Sequence, residues 1–362
     1  MTRPFEKSVR VQVVILFAAW AHWLTASAER GLDLTIATAH PPTVPWVYVI
    51  RDYVLPEFNA QMAEQMPDMP VRWTEAYGTL YKWHNSLDAV EIGLADVGWV
   101  GALWETSKLP LQNITYSLPF ITDDLLTLVR VMNRLHDEIP GMRETWERYN
   151  THFLGTSGVE TYHLMTNFPV RSLDDLKGRK ILAPGAAAIW LKGTGAIAVD
   201  GALSTYYTQL KTGVADGTVS ILTGIYPFRI HEVAPYVTFV GIGAQCTGAL
   251  TVNLDVWRRL PPAARDILSR LGREYGERAA VEVLKRYADA YEGLKNDGVV
   301  FATLPAAEKQ RWIDGLPDLG RTWVARHEAR GLPAGDVLRG LMRGLRESGI
   351  EPMQDWDLQI DP

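Results

Sequence analysis

The chain has 362 residues and a single cysteine, Cys246. This excludes an intramolecular disulfide and any site built from several thiolates, such as a zinc ribbon or an iron–sulfur cluster. Basic runs are also lacking: 36 Lys and Arg are scattered among 42 Asp and Glu, for a net charge of −6. Binding to nucleic acid needs concentrated cations to displace phosphate counterions, so that partner is not expected. The eight histidines fall at no short metal-ligand spacing, and no Asp-rich calcium loop is present. No metal and no cofactor is expected. There is no internal repeat and no low-complexity segment, and 47% hydrophobic against 22% charged residues describes a folded chain.

What is present begins with residues 1–28. Arg3, Lys7 and Arg10 form a basic start, residues 11–21 an apolar run, and Ala26-Ser27-Ala28 a small-residue cleavage site. This reads as a cleaved export signal, because spanning a bilayer needs about 20 apolar residues. No other stretch is long and apolar enough to span. The mature chain is therefore expected in the periplasm, without membrane insertion.

Residues 34–39 read as a strand running into a loop at His40-Pro41-Pro42, and 47–62 carry a helical apolar stripe. A strand at 71–75, a helix at 82–92 and a strand at 96–100 follow. This β-α-β-α-β order argues for an open, mostly parallel sheet flanked by helices, whose ligands sit at the carboxyl ends of the strands. A second α/β unit starts near His152, with strands about 153–156, 161–165, 180–182, 215–220 and 236–240 and a helix at 205–212. Residues 249–256 read as a strand returning to the first unit. Two α/β lobes joined by several crossings predict a cleft that closes. Pro261 and Pro262 open a helical stripe that persists over 263–296, a rod of about 50 Å at 1.5 Å per residue. Such a rod suits a path across both lobes. Shorter helices are expected at 306–315 and between 323 and 348.

At Leu173-Asp174-Asp175-Leu176-Lys177-Gly178-Arg179-Lys180-Ile181 the sequence resembles the D-L-K-G-x-K segment of the periplasmic solute-binding proteins of TRAP transporters, the dicarboxylate-binding (DctP-like) class. Leu118-Pro119-Phe120, the segment Leu210 to Gly217 (LKTGVADG), His231-Glu232-Val233 and the segment Val252 to Pro261 (VNLDVWRRLP) resemble further blocks of that family, in the same order. The resemblance implies a two-lobed α/β periplasmic binding protein with a hinge, an interlobe ligand cleft and a long lobe-spanning helix. The lobes are expected at 29–155 plus 248–285 and at 156–247 plus 286–340, with 341–362 as a C-terminal segment. It also implies delivery of one small molecule to a TRAP permease driven by an ion gradient, with no catalysis.

The sequence departs from the family where ligands are gripped. Members clamp a substrate carboxylate with an arginine directly after K-[IL]; here that position is Leu182. Thr161-Tyr162-His163 supplies no second arginine, and Ser220 stands where Asn or Trp is usual. A buried carboxylate without a partner is costly, so a C4-dicarboxylate held in the usual way is not expected. Aromatic residues in loop-facing positions are the alternative grip: Trp46, Tyr77, Trp83, Trp99, Trp104, Tyr162 and Trp190. Rings of this kind stack on an aromatic solute or attract an ammonium group. Glu75 or Glu105 would then favour an amine, and His40, Ser220 or Gln245 would supply hydrogen bonds. The candidate ligand-binding set is His40, Trp46, Tyr77, Trp99, Gly101, Trp104, Tyr162, Leu182, Trp190, Ser220 and Gln245. Arg51 and Arg229 are candidate substitute clamps for the other reading, an organic acid held by a non-standard anchor.

Catalytic motifs are incomplete. Gly241-Ile242-Gly243 meets Cys246 where a dinucleotide loop needs its third glycine. Thr156-Ser157-Gly158 lacks nucleophile-elbow spacing. An enzyme on this scaffold would use His163 or His40 as base, with no nucleophile or acid evident beside either.

Overall fold

The computed structural model describes residues 31–360; the expected export signal lies outside them. The chain opens with β1 (Leu32–Thr38), α1 (Pro45–Val49), a π-helical turn (Ile50–Val54), α2 (Leu55–Gln65), β2 (Val71–Tyr77), α3 (Ser86–Glu91) and β3 (Val97–Val100). β1 lies between β2 and β3 and runs parallel to both. Next come α4 (Ile114–Ser117), α5 (Leu125–Glu138), α6 (Pro140–Glu147) and β4 (Thr151–Val159). Asp124 starts α5 by accepting from the Thr127 N–H at 2.9 Å, and Leu125, Leu128, Val129, Met132 and Leu135 form its buried stripe.

The second lobe holds β5 (His163–Thr166), β6 (Lys180–Ala183), β7 (Ile197–Asp200), α7 (Leu203–Lys211), β8 (Gly217–Ser220), α8 (Leu222–Ile225) and β9 (Tyr236–Phe239). The chain then returns as β10 (Gln245–Asn253), followed by α9 (Leu254–Arg259), α10 (Pro262–Asn296), β11 (Val300–Thr303), α11 (Ala306–Asp314), α12 (Leu319–Glu328) and α13 (Ala334–Glu347). The first sheet has the order β2-β1-β3-β10-β4 and the second β11-β9-β5-β8-β6-β7.

The returning strand, the lobe boundaries and the last helices differ from the sequence expectation. The returning strand begins at Gln245 rather than 249, and Asn253 ends it by capping α9 with its side-chain oxygen on the Asp255 and Val256 N–H groups. The expected lobe boundaries at 155/156 and 247/248 fall inside β4 and β10, both in the first sheet. α12 and α13, expected partly in the second lobe, pack with α5 in one apolar cluster through Leu341, Leu345 and Trp323.

The two crossings between sheets run side by side. Ile242 N–H donates to the Tyr162 carbonyl at 3.1 Å, and Tyr162 N–H to the Gly243 carbonyl at 3.3 Å. Residues 120–122 brace them: Phe120 N–H donates to Ile242 and Ala244 N–H to Thr122. The third crossing is α10, 35 residues long. It lies flush on β4, where a Cβ on Gly272 would stand 2.5 Å from Leu154 Cβ. At its far end Gly293 meets the Tyr226 ring, so the helix touches both lobes.

Candidate functional site

The ends of strands from both sheets converge on one cavity of about 110 Å³. The first lobe contributes His40 and Pro41 after β1, Trp46 from α1, Trp83, Trp99 from β3, and Leu103 and Trp104 after it. The second contributes Pro184 after β6, Ala202–Ser204 and Tyr206 at the start of α7, Ser220 and Ile221 at the end of β8, and Phe228. Val159 and Thr247 at the strand ends, Tyr116 on α4 and Tyr162 on the crossing close the back. The lobes touch beside this space: a Cβ on Gly185, whose φ is +50°, would stand 2.5 Å from the Leu103 carbonyl oxygen.

Aromatic rings form the walls. His40 meets Trp46 and Trp99 edge-on at 5.5 and 5.4 Å and lies over Trp104 at 5.8 Å. Trp46 and Trp99 face each other at 5.9 Å, and Trp83 leans on Trp104 at 5.1 Å. Trp99 is fixed by its indole N–H, which donates to Ser157 Oγ at 2.9 Å. The indole nitrogens of Trp46 and Trp104 are buried without a hydrogen-bond partner, as is His40 Nδ1. His40 keeps some exposure through the cleft, yet protein encloses it and desolvation pushes its pKa down to about 4. At neutral pH it is uncharged. Among the described residues no Asp, Glu, Lys or Arg lines the cavity.

Behind this wall the hydroxyls of Tyr116 and Tyr162 share a hydrogen bond of 2.7 Å, and burial raises both tyrosine pKa values. Trp190 stacks on Tyr116 and donates its indole N–H to the Tyr116 carbonyl at 2.7 Å, while Trp312 of α11 donates to the Trp190 carbonyl. Glu160, at the start of the crossing, is fully buried. It accepts from both the N–H and the hydroxyl of Thr223, each at 2.8 Å, and burial pushes its pKa up to about 7.

Of the sequence-chosen residues, His40, Trp46, Trp99, Trp104, Tyr162 and Ser220 come together on the cavity. Five do not line it. Tyr77 sits at the end of β2, within electrostatic reach of Glu75 and Arg51. Gly101 is behind Trp104, its N–H on Ser86 Oγ; a Cβ there would lie 2.4 Å from that indole. Leu182 is fully buried in the second-lobe core with Met165 and Tyr206. Trp190 backs Tyr116, and Gln245 turns its amide onto the Gly243 carbonyl at 3.3 Å. The substitute clamps fail as well: Arg51 is exposed and paired with Asp52, and Arg229 with Glu232. Glu75 is exposed, and Glu105, next to Trp104, is buried with its pKa raised to about 7 by desolvation; neither lines the cavity. Sequence reasoning missed Tyr116, Pro184, Tyr206, Phe228 and Thr247. Only the fold brings these distant positions to one place.

Residues 74–324 match the model of the family described as bacterial extracellular solute-binding protein, family 7 (DctP). The chain belongs to that family. Its members bind solutes rather than transform them. The chain is 24% identical over 219 residues to the sialic acid-binding periplasmic protein SiaP of Vibrio cholerae serotype O1, covering 59% of this chain and 65% of that one, just under two thirds of the relative's length. Solved family structures share the two-lobed fold with its long helix. A TRAP solute-binding protein of Rhodoferax ferrireducens, in complex with copurified benzoate, superposes with a TM-score of 0.77 at 16% identity, covering 88% of this chain and 98% of that one. One from Bordetella bronchiseptica, with bound (R)- and (S)-mandelate, gives 0.75 at 22% identity, covering 88% and 99%. Among the described residues no helix is long and apolar enough to cross a membrane, and no group of three or more His, Cys, Asp or Glu could hold a metal.

Proposed function

We propose that this family 7 protein is the periplasmic receptor of a TRAP transporter. It captures a small organic solute by its ring or onium surface and hands it unchanged to a membrane permease. The observation that carries this reading is the lining of the cavity: indole, phenol and imidazole rings, and no charged side chain. A dicarboxylate enclosed there would leave two carboxylates without a counter-charge, at a cost of several kcal/mol each. The volume, about 110 Å³ against roughly 150 Å³ for an apolar cavity that admits benzene, limits the solute to at most about one ring. The benzoate and mandelate relatives hold solutes of that size. A binding role, not a catalytic one, is supported by the histidines. His163 Nδ1 accepts from the Val240 and Gly241 N–H groups and serves the crossing, and His40 is packed among indoles rather than beside a nucleophile.

A thermal-shift screen with benzoate, succinate, choline and benzyl alcohol tests the reading, because a ligand that binds only the native state raises the melting temperature. Choline and benzyl alcohol are expected to raise it, benzoate to raise it less because its single carboxylate is also unpaired, and succinate to leave it unchanged. The largest shift from succinate would overturn the proposal. Recovery of the bound solute in altered form would overturn the non-catalytic role.

A further inference from the structure

We infer that the solute carries a compact quaternary ammonium group, held by the indole box of Trp46, Trp83, Trp99 and Trp104. This deepens the reading above and rests on it. The first support is the shape of the box. The ring planes fall into two crossed sets: Trp46 and Trp99 lie within 29° of parallel, and His40 and Trp104 within 27°. His40 stands at 82° to Trp46 and 78° to Trp99, while Trp83 and Trp104 are inclined at 47°. Walls at mixed angles enclose a rounded group, and a tetrahedral onium is round where a benzene ring is a slab.

The second support is charge. Trp offers the strongest face for a cation, and the attraction grows when water is excluded. Nothing in the lining opposes a cation, since no Lys or Arg reaches it and His40 is neutral. Asp200 is exposed at the end of β7, two residues before Ala202 of the lining. It acts electrostatically on both His84 and Tyr206. The whole chain carries −6, which favours the approach of a cation. An anion meets the opposite arrangement at each point.

The test compares choline with its uncharged isostere 3,3-dimethylbutan-1-ol, using the full chain and calorimetric titration. Choline is expected to bind at least about tenfold more tightly, a difference of about 1.4 kcal/mol within the range of a desolvated cation–π contact. Replacing every tryptophan with 5-fluorotryptophan, then with more heavily fluorinated forms, weakens the ring quadrupole without emptying the box. Choline affinity should fall stepwise across that series while affinity for the isostere stays level. A merely structural role for the rings would move both probes together. Equal affinity for the two probes, no binding of choline, or a level choline series would overturn the inference. If benzoate or benzyl alcohol binds in place of choline, the aromatic cleft reading survives and only the onium fails. If succinate alone binds, both fail.

Discussion

The hydroxyls of Tyr116 and Tyr162 are hydrogen-bonded to each other at 2.7 Å, one on α4 of the first lobe and the other on the crossing into the second. Both are buried, so truncating one leaves the other without a partner. Tyr162→Phe is expected to lower the unfolding free energy by about 1–3 kcal/mol, and Tyr116→Phe by a similar amount. The double variant removes both polar groups and should recover much of the loss. Urea titration of the four proteins reads the coupling, and simple addition of the two losses would show that the pair is not acting as a unit.

The family resemblance aligns Leu182 with an arginine, but its side chain belongs to the second-lobe core. Leu182→Arg therefore does not install a clamp. It buries an unpaired guanidinium, which costs about 3–5 kcal/mol. The variant should be poorly folded and should show no response to succinate. A well-folded L182R protein with a succinate-dependent rise in melting temperature would contradict this placement.

Glu160 makes stability depend on pH in a defined direction. Its folded pKa, about 7, stands above the ordinary value of 4.5 because of burial. Between those values the native state holds a proton that the unfolded chain has released. Its contribution is greatest below pH 4.5 and is lost as pH rises towards 7. Relative to Glu160→Gln, the wild type should therefore lose stability between pH 5 and 7.5. Denaturant midpoints at four pH values give the comparison, and a constant difference between the two proteins would refute it.

His136 acts with the opposite sign. Its ring lies 3.7 Å from Phe153, its Nε2 accepts from the Trp146 indole at 3.2 Å, and its Nδ1 therefore donates to the Met132 carbonyl. Desolvation pulls its pKa down to about 4, so the unfolded chain takes up a proton first as pH falls below 6.5. The stability tied to this neutral ring is present above pH 6.5 and drains away towards pH 4. NMR of labelled imidazole should show His136 unprotonated at pH 5.5, and titration near 6.5 would contradict the buried, bonded ring.

The sequence made the opening strands, the long helix and the two-lobed plan legible because each rests on local periodicity or on a run of family-like segments. The helix expected at 263–296 is observed at Pro262–Asn296. β7 and β11 were not legible: both are four-residue strands with mostly exposed residues, so no alternation marks them. The end of β1 and the residues of and just after β3 announced His40, Trp46, Trp99 and Trp104. Phe228 and Thr247 carry no such sign, because their place on the cavity is set by sheet order alone. Trp190 and Leu182 misled for a related reason. An aromatic or apolar side chain near a strand end has the same appearance in sequence whether it faces a cleft or the core behind it.

Gly272 is a further point of sensitivity. A methyl group there would meet Leu154 Cβ at 2.5 Å and the Leu154 carbonyl at 2.7 Å, with the backbone of β4 unable to yield. Gly272→Ala should lower stability by about 1–3 kcal/mol, the usual range for overpacking. Chemical denaturation measures it, and an unchanged midpoint would show that the helix can lift off the strand.

Because α10 is seated on β4 at Gly272 and against Tyr226 at Gly293, neither lobe can swing independently of the helix. Between these two seats Arg286 donates to the Thr43 carbonyl and lies over the Tyr48 ring, so one rod is fastened to both lobes and to the loop that leads into the cavity. The outer face of this stretch, opposite the loop it holds, carries exposed Val281 and Leu284.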